Sequence, residues 1–581
     1  MFFEIGDIDK SKIYSDKLVS LWKKYLYRAV EYLNKESMSK YLDRIQEGFL
    51  IDYSICDDYI SDEELYEKVL NYKNLFSFMM GYRNRFLKKY PESKSFSDKI
   101  NKKKNKLAEI ETRKAFLNLN TDSSQIKKEI KELEYKFAKT FEKNNISIEE
   151  FKVKDLFDAM EDNSIVVEYF ISIQNFNSYV LHKGYLKDLT GKQYLTTFCL
   201  IKKEGKNILN KYKTIITEEL LEGIDIFMNQ SRKLKRTIKP QALLNIKNML
   251  YEAFISPWEK ELSDNINKIY IATDSFLCDI PFELLLEKEI TYLESGRDLI
   301  IRADEACGNG AIIIGNPEYD YKNIIDYGDN RSFINEEIKS LPFSEIETKL
   351  IAKKLNVEPY IGKKALKSVI IQAKNIRLIH IATHGIQSNE YSNDAWYLSG
   401  LLLAGAENWK ESKRMDKLYR NGIITADEIS RLDFSSVEVV VLSCCNSGIG
   451  QITNYNQMAG IRQAFKAAGV KYIISSLWSV DDFAGALLMN KFYEFLRKYN
   501  VKEALKKSKE YLKNATAKDV KIFLKDYVSS FGYDENGLIK RKLNELNKES
   551  MNKVLSLKKS DEKIYENPYY WAGFICQQNR N

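Results

Sequence analysis

Two segments of this 581-residue chain do most to limit its fold: RLIHIATHG, Arg377 to Gly385, and VEVVVLSCCNSGIG, Val437 to Gly450. Each is a short apolar, β-branched run that stops abruptly in small and reactive residues. Such runs read as strands buried on both faces, and open α/β sheets place their chemistry in the crevice at the carboxyl ends of such strands. One strand would bring His384 to that edge and the other Cys445. An imidazole within hydrogen-bond reach turns a thiol into an effective nucleophile. The combination suggests a cysteine peptidase.

The rest of the chain alternates around these strands. KIYIATD, AIIIGNP, RLIHIATHG, VEVVVLSCC and KYIISSLW are separated by segments of helical periodicity. That alternation predicts a mainly parallel sheet with helices on both faces. Upstream, Ser164 to Phe170, Ser178 to Gly184 and Tyr194 to Gly205 read as strands and Thr217 to Phe254 as helical. Residues 1–150 read as helices, with apolar positions three and four apart such as Leu18, Trp22, Tyr25, Leu26, Ala29 and Leu33, and again Ile126, Ile130, Leu133 and Phe137. The polar run Asn120 to Ser124 is a cap for the second set and predicts a helical hairpin over 100–145. No repeat of about 34 residues emerges. Residues 501–563 are a charged, helix-prone insertion before the last apolar segment, YYWAGFIC.

Composition removes several function classes. Lys and Arg number 90 against 82 Asp and Glu, so the net charge of +8 is a small difference between large totals. With no RRM, zinc-finger or helix-turn-helix signature, direct nucleic-acid binding is not expected. No run approaches the ~20 apolar residues of a membrane span, and the start MFFEIGDIDKSK lacks a basic n-region, so a cytoplasmic location without a membrane partner is expected. Seven irregularly spaced cysteines with no CxxC pair suit reduced thiols. AIIIGNPEYD lacks the Gly-Lys-Ser/Thr ending of a phosphate loop. His380 and His384 share the spacing of helical zinc ligands but lie on a β-branched run, with His182 the one other histidine, so neither a metal nor a cofactor is expected. His380, inside the strand, reads as a core histidine. Cys444 and Cys445 are adjacent, so on a strand they face opposite sides; a redox disulfide between them would be strained, and one of them alone can serve a given site.

THG at Thr383 to Gly385, LSCCNSGIG at Leu442 to Gly450 and FKAAGVKYIISSLWSVDD at Phe465 to Asp482 resemble the CHAT domain of the caspase and separase group, clan CD, of cysteine peptidases. FLCDIPFELL (Phe276 to Leu285), AIIIGNPEYD, LPFSEIET (Leu341 to Thr348), GIITADEI (Gly422 to Ile429) and NPYYWAGFI (Asn567 to Ile575) fit the same pattern in order, so the resemblance covers roughly residues 155–581. The family commonly has Ala where this chain has Cys444, and His where it has Asn567.

The resemblance implies an α/β fold: a caspase-like, mainly parallel sheet flanked by helices, in a pseudo-catalytic half (151–310) and a catalytic half (311–581). An all-helical N-terminal module (1–150), of the TPR-like, partner-binding sort, precedes them. It implies Cys445 as nucleophile, His384 as general base, and the backbone N–H groups of Gly385 and Cys445 as oxyanion donors. It places Asp482, with Asp481 and Trp478 beside it, in the pocket for a basic side chain before the scissile bond. An aspartate pair before an apolar run also reads as a helix cap, and one aspartate can do each. In function, the resemblance implies a regulated cysteine endopeptidase that cuts a specific protein substrate in bacterial defence or cell-death systems, antiviral and CRISPR-associated ones included. Its regulator would be an activating protein or an RNA-guided effector complex. The alternative is a catalytically silent scaffold that keeps the fold and binds partners through the helical module; the intact His384 and Cys445 weigh against it.

Overall fold

The computed structural model describes residues 59–100, 102–103, 124–143, 150–174, 192–231, 239–301 apart from 264 and 287, 308–319, 341–386, 399–406, 422–443, 459–523 apart from 479, and 561–579, with scattered positions between 10 and 57. In the first part of the chain the strands are β1 (Ser164–Gln174), β2 (Lys192–Lys203), β3 (Lys206–Ile215), β4 (Lys268–Ala272) and β5 (Ile290–Leu293). In the second they are β6 (Gly310–Pro317), β7 (Tyr360–Gly362), β8 (Ile376–Ala382), the short β9 (Gly385–Ile386), β10 (Gly400–Leu402) and β11 (Ile423–Thr425), then β12 (Val439–Leu442), β13 (Tyr472–Ser476) and β14 (Phe574–Gln578). All but β9, β10 and β11 join one sheet of 11 strands in the order β3-β2-β1-β4-β5-β14-β13-β12-β8-β6-β7.

The sheet is mainly parallel, as the alternation of strand and helix requires. β1, β4, β5 and β14 run one way, and β13, β12, β8, β6 and β7 the other. The two sets meet at β14, which is antiparallel to β13 and parallel to β5 through the Gln577–Tyr292 pair. The C-terminal strand therefore closes a single sheet out of both halves. Several strands escape the sequence pattern, β3 and β5 of the main sheet among them. β3, KNILNKYKTI, is an edge strand whose side chains are all exposed or half-buried, so it shows no apolar alternation; its lysines suit an edge. β5 has four residues, all buried, too short a run to separate from loop. The expected strand at 178–184 lies outside the described residues.

Helices cover both faces. On one side lie α1 (Asp62–Tyr72), α2 (Leu75–Lys89) and, further along, α7 (Ala459–Ala467); on the other lie α4 (Glu218–Ser231), α5 (Pro240–Phe254), α6 (Pro342–Leu355), α8 (Asp482–Phe495) and α9 (Val501–Asn514). α3 (Ser124–Lys143), the helix expected from Ile126 to Phe137, joins a small cluster of Phe86, Ile100 and Phe137. The residues before it in the expected hairpin lie largely outside the description, as does most of the segment from Leu18 to Leu33. α1 opens on a full capping box, Ser61 with Glu64, which satisfies N–H groups that have no partner within the helix.

The N-terminal helices are part of the main body. Leu65, Tyr66 and Val69 of α1 share one apolar cluster with Val166 and Phe170 of β1 and Phe198 and Leu200 of β2. A buried polar network fastens them. Tyr66 donates to Glu168 Oε2 at 2.7 Å, Lys73 Nζ lies 3.3 Å from Glu168 Oε1, and Arg297 Nη1 donates to Leu70 O at 2.6 Å. α2 also reaches the second half, where Asn84 Nδ2 donates to Ser430 O at 2.5 Å and to Ala467 O at 2.8 Å.

Candidate active site

The site grows from the central strands β8 and β12, which are parallel neighbours from Leu378–Val439 to Ile381–Leu442. Their side chains alternate in environment: Leu378, Val439 and Val441 enter the core under α6 and α8, while Ile379, Ile381, Val440 and Leu442 enter the core on the opposite face. This is the period of two that a sheet covered on both sides demands. The pairing continues one step, with Ser443 N donating to Ile381 O at 3.0 Å. Ser443 is the last described residue before Cys444 and Cys445, both of which lie outside the described residues.

β8 ends in a clamp. Thr383 Oγ1 shares a 2.8 Å hydrogen bond with the Tyr319 hydroxyl and donates to Leu402 O, and Leu402 N donates to His384 O at 2.9 Å. The His384 ring lies against the Tyr319 ring, centroids 5.4 Å apart, and the residue is 6% exposed. The imidazole is thus fixed from the side of Tyr319 and by its own backbone. Because His384 and Leu402 form a hydrogen-bonded pair, the next antiparallel pair, Gly385 with Leu401, is the non-hydrogen-bonded kind. The Gly385 N–H therefore points away from β10. A Cβ at Gly385 would find no heavy atom nearer than Gly400 O at 3.8 Å among the described residues.

The segment after β13 separates the two aspartates. Asp481 is the N-cap of α8, its carboxylate accepting from Ala484 N at 2.9 Å. Burial pushes its carboxyl up, and the N–H groups of Ala484 and Phe483 pull it back. Asp482 is the first helical residue and half-buried. Burial, then the charges of Asp481 and Glu347, push its carboxyl up from 3.8 to about 7. Trp478 is buried to 2% and donates its indole N–H to Tyr569 O at 3.0 Å. It braces the segment before β14, where a Cβ on Gly573 would meet its ring at 2.9 Å. Asn567, the family's usual histidine position, caps the turn at Pro568–Tyr570 by accepting from Tyr569 N at 3.0 Å.

Behind these residues sits a buried group that the sequence did not disclose. His380 is fully buried, as a core histidine should be, with Nδ1 3.2 Å from the Tyr493 hydroxyl and Nε2 3.1 Å from Glu347 Oε1, in ion-pair range though not aligned as a hydrogen bond. The other oxygen of Glu347 accepts from Ser443 Oγ at 3.3 Å. One carboxylate on α6 thus touches β8, the end of β12 and, through its charge, Asp482. Glu347 lies within the LPFSEIET motif, but no spacing along the chain links it to His380 or Ser443.

A mainly parallel α/β sheet that brings His384, the end of β12 and an acidic helix start to one region defines a cysteine peptidase-like fold. The chain belongs to the CHAT domain family, whose model matches residues 245–579, more than half of its length. The match begins within α5, so β1, β2 and β3 precede it. A segment is 26% identical over 184 residues to tetratricopeptide repeat protein 28 of Mus musculus, covering 27% of this chain and 7% of that protein. The chain therefore spans a small part of that relative's length. Among solved structures, a chain of the Saccharomyces cerevisiae separase–securin complex has a TM-score of 0.37 at 12% identity, over 86% of this chain and 36% of that one. The Arg-specific cysteine proteinase gingipain R of Porphyromonas gingivalis has a TM-score of 0.26 at 12% identity, over 62% of this chain and 75% of that one. Among the described residues, no helix is long and apolar enough to cross a membrane.

Proposed function

We propose that this chain is a cytoplasmic cysteine endopeptidase in which Cys445 attacks the scissile carbonyl and His384 moves the proton. The observation that carries the reading is the pairing of β8 with β12 up to Ser443, which brings the chain to adjacent strand ends three residues before His384 and two before Cys445. His384 takes the thiol proton as the thiolate adds to the carbonyl carbon. It then gives the proton to the leaving amine as the C–N bond breaks and a thioester remains, and water attacks that thioester to release the acid and restore the thiol. The Gly385 N–H, aimed away from β10, supports a place for it beside the Cys445 N–H at the developing oxyanion; one such donor is worth roughly 10²–10³ in rate.

Asp482 is the residue we assign to a basic side chain before the cleaved bond, since Asp481 is already used as the helix cap. A carboxyl raised to about 7 by burial and by like charges gains most from an arriving cation, because the cation offsets all three causes of the shift. Protein partners, an activating protein or RNA-guided effector in a defence setting among them, belong to the same proposal. The likeness of one segment to a tetratricopeptide repeat protein fits a chain that works through protein contacts.

The test is labelling by a peptidyl-arginine acyloxymethyl ketone, alone and with candidate partners, in wild type, Cys445→Ala, Cys444→Ala and Asp482→Asn. Loss in Cys445→Ala alone, with weakening in Asp482→Asn, supports nucleophile and pocket together. Labelling carried by Cys444 refutes the site assignment. A chain that binds a partner yet labels under no condition favours the silent scaffold.

A further inference from the structure

Between α9, α5 and the segment leading into β14 lies a cavity of about 380 Å³, within the roughly 300–1,000 Å³ of small-molecule sites. Part of its lining is apolar: Leu284, Ile290, Leu505, Pro568 and Trp571. The rest is dominated by cations. Lys502, Lys506, Lys509 and Lys513 recur along α9 at steps of four, three and four, which places them along one helix face, and Lys247 and Lys288 join from α5 and from the turn before β5. Glu283, Glu289, Glu510 and Glu566 also line the cavity, so six lysines minus four glutamates leave two positive charges in excess. Glu283 is engaged, accepting from Lys509 Nζ at 3.0 Å and from the Tyr292 hydroxyl at 2.6 Å.

Lys502 gives the arrangement its direction. Among the described residues no carboxylate lies within salt-bridge reach of its ammonium, which sits 5.1 Å from the Tyr270 ring and 3.5 Å from Gln578 Oε1. Burial chiefly pushes its ammonium down, against the pull of Cys576 and Glu289 and with a smaller push from Lys268 and Lys471. It also stands in the first turn of α9, the end at which the helix dipole disfavours a cation. Packing α9 onto the sheet would be served better by neutral or acidic residues on this face. An arrangement that repels itself in the empty state is stabilised when an anion enters. At the cavity's edge the half-buried indole of Trp571, with Lys513 Nζ 5.3 Å from its centroid, offers a flat face among the cations.

We propose that this cavity binds a small polyphosphorylated molecule, its phosphates held chiefly by Lys502, Lys506 and Lys288 and any planar base laid on Trp571. The cavity takes lining from both β5 and β14 through Ile290 and Cys576, the strands at which the two halves of the sheet join. A bound ligand would therefore tie one half to the other. None of the lining residues belongs to the candidate peptidase site, so this inference and the peptidase reading fail independently.

Titration calorimetry of the full chain with inorganic tripolyphosphate, and separately with ATP, tests it. The expected result is one saturable site with a Kd below about 1 mM at 0.15 M salt, weakened about tenfold in Lys502→Met and in Lys506→Gln. Lys128→Gln, an exposed lysine on α3 with the same loss of charge, should leave it unchanged. Lys506 is exposed, so its variant keeps the test in force should Lys502→Met fold poorly. ATP binding more tightly than tripolyphosphate, with the gain removed by Trp571→Leu, identifies a nucleotide, and equal affinities identify the phosphate chain alone. Absence of saturable binding of either probe overturns the proposal, and so does equal weakening in Lys128→Gln.

Discussion

Asp482→Asn should make the protein more tolerant of alkaline pH, and the size of the gain follows from where the residue sits. Burial, Asp481 and Glu347 raise the carboxyl of Asp482 from 3.8 to about 7. Between those two pH values the folded chain holds a proton that the unfolded chain has released. Stability therefore falls as pH rises across this window, and the contribution of the neutral acid, complete below pH 4, is gone above pH 7. About three pH units at roughly 1.4 kcal/mol each give a ceiling of about 4 kcal/mol. Asp482 is half-buried, so solvent screening reduces this to ~1–2 kcal/mol. Asn keeps the size of the neutral acid and does not titrate. Urea unfolding of both proteins at pH 5, 6, 7 and 8.5 should give a stability difference that grows by that amount in favour of Asp482→Asn, mostly between pH 5 and 7.5. An arginine-containing active-site ligand should reverse the trend for wild type, stabilising it more at pH 8.5 than at pH 6. A difference that stays flat with pH, or shrinks, refutes the assignment of Asp482 to a buried acidic site.

Glu347→Gln removes the carboxylate on α6 whose charge helps to raise Asp482, so the pH at which the Asp482→Asn difference appears should move downward; an unmoved midpoint shows that Glu347 does not act on Asp482. Lys466→Met strips the ammonium that donates to Glu294 Oε2 at 2.8 Å and Asp298 Oδ1 at 2.7 Å in a buried site. Two carboxylates are then left facing each other, and urea denaturation should show a loss of about 3–5 kcal/mol. A loss under about 1 kcal/mol would show that water or rearrangement replaces the lysine.

Sequence and structure agree where apolar patterning decides the outcome. β4, β6, β8, β12 and β13 fall where their β-branched runs lie because each is covered on both faces, and apart from Arg377 near the start of β8 no exposed position dilutes the pattern. β3 was hidden for the opposite reason, since an edge strand of lysines and asparagines earns its place by pairing with β2 and not by burial. The site divides in the same way. The position of His384 at the end of a buried strand was legible from the β-branched run before it, while of the two duties weighed for Asp481 and Asp482 the cap came from the helix start and the pocket from the family resemblance. That Asp481 is the cap required the 2.9 Å contact from Ala484 N. Trp478 was placed beside the substrate by its neighbours in sequence, yet its N–H is used by Tyr569 O and it supports the region from within. Glu347 meets His380, Ser443 and Asp482 across three elements, and contact between elements leaves no trace in local periodicity.

The path of the chain also bears on how the candidate site is held. His384 and the end of β12 belong to the second half, and the last strand of that half is the one that joins it to the first. β14 arrives from the C-terminus, lies between β13 and β5, and carries just before it the turn that Trp478 braces. On the opposite face α2 grips Ser430 and Ala467, and Ala467 ends the helix that begins at Ala459, the first described residue after Ser443. Elements from both chain termini therefore flank the strand that leads to Cys445, one through the sheet and one through α7. A movement of α2 would be felt directly at Ser430 and Ala467, because packed interfaces give way in discrete steps. The N-terminal helices are thus joined to the same body that carries His384.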